Sequence, residues 1–220
     1  YGAGTVTFNG GAQTLTGNTT FYNFIINSGS TVSAGSTTQS IKNNWSNSGT
    51  FTPGTGTVTC NGTAAQALNN ANTFNNLTIS NTGNTVTLGA NQTIGGNLSV
   101  TSGTLNLSTY TANRSASGGT LSVSNLATLQ IGGTNTLPAN YTTNTFGATS
   151  TTAYNGTTQT VSGITYGHLS LSGGTKTWAG ATSAAGNVTI ASGATLDVSA
   201  SNYALNVAGN WSNSGTFTPG

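Results

Sequence analysis

TVTFNG at residues 5–10 returns as TVTCNG at 57–62 and as TTAYNG at 151–156. In each, hydroxyl residues alternate with apolar or aromatic ones, and each run closes on Asn-Gly. A period of two is the pattern of a strand with one face buried. Asn-Gly is turn chemistry. The same order of signals continues outward from all three runs. A Gln opens a short alternation: Gln13-Thr14-Leu15, Gln66-Ala67-Leu68 and Gln159-Thr160-Val161. An aromatic and two apolar residues follow: Phe21, Phe24 and Ile26, then Phe74, Leu77 and Ile79, then Tyr166, Leu169 and Leu171. These nine are the expected core ladder. Thr-led pulses come next, TVSAG at 31–35, TVTLG at 85–89 and TKTWAG at 175–180.

The first two copies lie 52 residues apart, Phe8 to Cys60. The expected modules are 1–54, 55–149 with inserted coils at 109–149, and 150–220 with an extra terminal coil. The insertion carries GGTLSVSNLATLQIGG, two further pulses of the same kind. Pulses at Thr31, Thr50, Thr85, Thr104, Thr120, Thr195 and Thr216 reveal a finer unit, often 16–21 residues long. No stretch has useful helical periodicity, and scattered Gly penalises a helix. Two all-β architectures compete. Hairpins of a β-sandwich would recur every ~8–12 residues. Coils of a parallel β-helix recur every ~18–22 and stack like residues on like. The spacing favours a parallel β-helix, a β-solenoid of roughly ten coils and about 50 Å length at one strand spacing per coil. Stacked Asn and Thr would then form ladders. β-Sandwich repeats remain the alternative.

Composition narrows the function. Of 220 residues, 2% are charged: Lys42, Arg114, Lys176 and Asp197. An ordinary soluble domain carries about a quarter. Hydroxyls and amides must supply solubility, while regularly placed apolar residues argue against disorder. A scattered net charge of +2 leaves no nucleic-acid footprint. No apolar run approaches the ~20 residues of a membrane span. One Cys, no Met and a Thr/Asn/Gly surface suit an exported bacterial protein.

The string TVTFNG…Q…FYNFIIN…GNLSVTSGTLNL resembles repeats of large bacterial cell-surface proteins, of the filamentous-haemagglutinin and autotransporter-adhesin type. The resemblance covers nearly the whole chain. It implies a β-solenoid passenger at the cell surface. Charged residues are scarcer here, which leaves room for a dedicated filament subunit.

Residues able to carry chemistry are few. Glycoside hydrolysis uses two carboxylates, and Asp197 is the sole one. Its place between Leu196 and Val198 points it outward. His168 aligns with Asn23 and Asn76 and reads as an outward polar residue. Cys60 aligns with Phe8 and Tyr154 and reads as a buried, inert thiol. One His, one Cys and one Asp do not make a zinc site. Neither cofactor, metal nor enzymatic activity is expected. Trp45, Trp178 and Trp211 read as core, and Tyr22 as outward.

Self-association remains. NWSNSGTFTPG stands at 44–54 and again, letter for letter, at 210–220. The first copy is followed by TGTVTCNG, and laying Tyr1 on Pro53 and Gly2 on Gly54 matches the start of the chain to this run. The motif reads as a junction coil that docks internally on the strand beginning at Thr55. At 210–220 it would dock on Thr5, Val6, Thr7 and Phe8 of another copy or array unit, with Trp211, Thr216 and Phe217 carrying the core across. The expected role is a subunit or segment of an extracellular surface filament whose partner is itself. An adhesin stalk binding glycans or cells, through Tyr22 or Trp178, is the alternative. Ice binding is a further one, from the pairs Thr5/Thr7, Thr14/Thr16, Thr57/Thr59 and Thr85/Thr87; Ala67 and Ala153 interrupt these pairs, and their coils do not look consecutive.

Overall fold

The computed structural model describes residues 3–200 and 202–220. Tyr1 and Gly2, which open the alignment onto Pro53 and Gly54, lie outside them. Short strands separated by Gly, Asn and Ser corners wind into eleven coils. Every strand-to-strand ladder is parallel, which removes the β-sandwich alternative.

Each coil visits three faces in order. Coil 1 is β1 (Thr5–Phe8), β2 (Ala12–Thr14) and β3 (Thr19–Phe21). Coil 2 is β4 (Asn23–Ile26), β5 (Thr31–Ser33) and β6 (Thr38–Ile41). Coil 3 is β7 (Trp45–Asn47), β8 (Thr50–Thr52) and β9 (Thr57–Cys60). Coil 4 begins with β10 (Gln66–Asn69) and β11 (Asn72–Phe74). β12 (Asn76–Leu88) bends through a corner, closing coil 4 and opening coil 5. β13 (Gln92–Ile94) follows, and β14 (Leu98–Asn106) closes coil 5 and opens coil 6 in the same way. Coil 6 ends with β15 (Ala112–Arg114) and β16 (Gly118–Val123). Coil 7 holds β17 (Thr128–Ile131) and β18 (Tyr141–Phe146). Coil 8 is β19 (Thr151–Tyr154), β20 (Gln159–Val161) and β21 (Thr165–Tyr166). Coil 9 is β22 (His168–Leu171), β23 (Thr175–Trp178) and β24 (Thr182–Ala184). Coil 10 is β25 (Val188–Ile190), β26 (Thr195–Asp197) and β27 (Leu205–Val207). Coil 11 contributes β28 (Trp211–Asn213) and β29 (Thr216–Thr218).

Face 1 runs without a break from β1 to β28. Turn length varies from 17 residues, Thr152 to Leu169, to 24, Leu105 to Leu129. Corners absorb this variation while strands hold register. Residues 109–149 supply β15 to β18, part of coil 6 and the whole of coil 7.

Alternation sets the core. Phe21, Phe24, Ile26, Phe74, Leu77, Ile79, Tyr166, Leu169 and Leu171 are all buried, with hydroxyls and amides facing out. An aromatic column runs from Phe8 through Phe21, Phe24, Trp45 and Phe51 to Phe74. Its tightest pair is Phe24 on Trp45, with centroids 4.2 Å apart and rings 11° from parallel.

The sequence modules do not keep to one face. Residues 5–26 visit faces 1, 2, 3 and 1, as β1 to β4. The matching residues 57–79 visit faces 3, 1, 2 and 3, as β9 to β12. The repeat between them is two and two-thirds coils, so the second copy is rotated by one face. The third copy returns to faces 1, 2, 3 and 1, as β19 to β22.

Candidate self-association site

Corners explain the abundance of Asn. The Oδ1 of Asn23 accepts the Asn44 N–H at 3.3 Å, and the Oδ1 of Asn44 accepts the Ala67 N–H at 2.9 Å. Asn76 does the same for Asn97 at 2.9 Å, and Asn97 for Thr120 at 2.9 Å. Each amide thereby satisfies a backbone N–H at or near the start of a strand in the next coil. His168 stands in one such column: its Nδ1 accepts the Asn187 N–H at 2.8 Å, and Asn187 accepts the Asn210 N–H at 2.9 Å. The alignment of His168 with Asn23 and Asn76 thus corresponds to a shared task.

A second device escaped the sequence reading. Gln66 Nε2 donates to the carbonyls of Ile41 and Asn43 while its Oε1 accepts the Gly62 N–H. Gln159 repeats this with Ile131, Asn135 and Gly156. Lys176 is the register partner of Gln159 and is fully buried. Its Nζ donates to four carbonyls, those of Gly156, Thr157, Gly173 and Gly174, at 2.9–3.4 Å. Burial lowers its pKa. The signal available in the sequence was the alignment of Lys176 with inward Val32 and Val86 in the Thr-led pulses.

The two copies of NWSNSGTFTPG occupy the same two faces, as β7–β8 and β28–β29. Both set the Trp ring edge-on to the Phe ring, at 4.8 Å and 84° for Trp45–Phe51 and 5.3 Å and 76° for Trp211–Phe217. Their surroundings differ. β10 pairs with β7, placing Leu68 over Trp45. Phe74 packs against Trp45 at 5.3 Å, and Asn72 Oδ1 accepts the Trp45 indole N–H at 2.8 Å. Trp45 is 0% exposed and Phe51 6%. Trp211 is 42% exposed and Phe217 39%, correcting the expectation that Trp211 lies in the core. No coil covers it among the described residues. The bare aromatics border a recess of about 350 Å³ with Trp178, Val198, Tyr203 and Leu205.

The junction expectation also needs correcting. The strand beginning near Thr55, β9, lies in the same coil as the motif and pairs with β6. What docks on the motif is the next coil, β10 and β11. At the opposite end Thr5, Val6 and Thr7 are exposed and Phe8 half-buried, while Thr216 in β29 is exposed. Both ends therefore present strand edges, β1 to β3 at one and β27 to β29 at the other.

The remaining candidates sit apart. Cys60 is buried, and burial pushes its thiol up to about 12. Asp197 points outward, and hydrogen bonds from the Ser199 hydroxyl and N–H hold its carboxyl below the usual value. Trp178 is 4% exposed, which leaves little ring for a sugar to stack on. Tyr22 is half-buried. The Thr pairs are redistributed: Thr5/Thr7 lies on face 1 and Thr57/Thr59 on face 3. Register creates a longer rank instead, through Thr20, Ser40, Thr59, Thr78, Ser99, Ser122 and Thr145 on seven consecutive coils. Comparison with family models, curated proteins and solved structures finds no significant match to the chain.

Proposed function

We propose that this chain is a structural segment of an extracellular surface fibre, assembled end to end by stacking of β-solenoid coils. One observation carries the reading: the eleven residues at 44–54, which a further coil seals through Leu68, Asn72 and Phe74, recur letter for letter at 210–220. The second copy presents the same aromatic pair, set in the same way, to a further coil. Unpaired strand edges recruit strands unless they are blunted by charge, Pro or a cap. Neither β1 to β3 nor β27 to β29 contains a charged residue or Pro. A heterologous contact that stacks opposite ends along the rod axis does not close, and it propagates as a filament. Low charge along the sides eases lateral packing, and export by a bacterial cell fits the composition. Pro at Thr7 removes a ladder donor, and Lys at Trp211 places charge on the bare apolar surface. Sedimentation should show the native chain as large, polydisperse species and Thr7→Pro and Trp211→Lys as monomers. Monomeric native chain at all concentrations defeats the proposal.

The hydroxyl rank on face 3 favours a second reading, ice binding. Parallel register spaces these hydroxyls by one strand separation, about 4.8 Å, along a straight line. Thermal hysteresis that vanishes in Thr59→Tyr supports it; a native chain with no hysteresis removes it.

A further inference from the structure

The internal junction also dictates how two copies meet, if they stack as proposed above. We infer that each copy in the fibre is rotated by one face, a third of a turn, relative to the copy it follows. The argument rests on what covers the first motif. There, residues 57–60 fill face 3 of the motif's own coil, residues 66–69 cover face 1, and residues 72–74 cover face 2. The sequence equivalents are 5–8, 13–16 and 19–21. In the structure these already follow one another around three faces, on face 1, then 2, then 3. A second copy turned by one face therefore presents these three strands in the required order without refolding them.

The fit is specific at every strand. Face 3 of coil 11 carries no strand among the described residues, and β1 of the second copy fills it, pairing with β27. The pairing of β9 on β6 fixes the register: Val58 opposite Gln39 and Cys60 opposite Ile41 become Val6 opposite Leu205 and Phe8 opposite Val207. Leu15 covers Trp211 as Leu68 covers Trp45. Phe21 meets Phe217 as Phe74 meets Phe51. The Thr14 N–H reaches the Oδ1 of Asn210 as the Ala67 N–H reaches Asn44. Val6, Trp211 and Phe217 are three of the five large apolar side chains exposed among the described residues, and all three become covered. Each copy then advances the fibre by ten and two-thirds coils, roughly 51 Å, and three copies complete a turn in about 150 Å.

Cysteine cross-linking separates this arrangement from its rivals. Parallel neighbours in adjacent strands sit within disulfide reach. The double variant Thr7→Cys/Asn206→Cys, with Cys60→Val to leave no native thiol, should form a ladder of covalent oligomers with oxidised glutathione. Thr7→Cys/Ser212→Cys, which reports unrotated stacking of face 1 on face 1, should not. Ladders through Ser212→Cys, alone or equally with the first pair, overturn the rotation and leave end-to-end stacking standing. No ladder in either variant overturns both.

Discussion

At the scale of the residue, the chain replaces charge with amide chemistry. Asn at a corner offers one acceptor to a backbone N–H of the next coil, at or near the start of a strand. His168 performs this task with a ring nitrogen, which makes it a test of the idea. His168→Asn should restore the acceptor and leave the urea midpoint near that of the native chain. His168→Ala should strand the Asn187 N–H and cost about 1 kcal/mol. Equal losses in both variants would mean that the imidazole acts by packing. Cys60 offers a second test. Its thiol keeps its proton in the folded state up to about 12, whereas the unfolded thiol releases it from 9.0. The folded state therefore binds more protons across that window, and stability falls as pH rises through it. The full loss is roughly 4 kcal/mol at three units of difference. Lys176 acts with opposite sign below 10.5, because its native form binds the proton less readily than the unfolded chain. Cys60→Val should remove the thiol's share of the alkaline loss and leave the rest; urea titrations at pH 8 and pH 11 measure it.

At the scale of the element, corners decide where a strand may stop and turn. Gly103 sits between the two halves of β14 at φ 75°, and a Cβ there would collide with the Asn81 carbonyl. Both the left-handed backbone and the contact require Gly. Gly103→Ala should therefore open the stack at coils 5 and 6, seen as faster amide exchange in β12 and β14 than in β22 and β25. Uniform exchange along the rod would contradict this. The strands themselves were legible in the sequence, because alternation and Thr-led pulses report one buried face directly. The inward aromatics were legible too. The face each module occupies was not: 52 residues do not divide into whole coils, and corner lengths, which set the phase, carry no periodic signal. Lys176 as a core residue was hidden because four backbone carbonyls, not a side chain, receive it. The exposure of Trp211 was hidden because its sequence is identical to that of buried Trp45.

At the scale of the whole molecule, eleven coils give a rod with two unlike ends and three nearly uncharged sides. Hydrophobic burial continues along the axis through Phe8, Phe24, Trp45 and Phe74, and nothing in the stack itself dictates a last coil. Trp211 and Phe217 of coil 11 repeat the pair Trp45 and Phe51, which a further coil seals inside the same chain. The claim that this surface joins copies into a fibre is tested most directly by electron microscopy of the purified chain at neutral pH, with diffraction along the fibre axis. The account predicts continuous fibres with a layer line near about 4.8 Å. Dispersed rods of about 50 Å, unchanged on concentration, would contradict it.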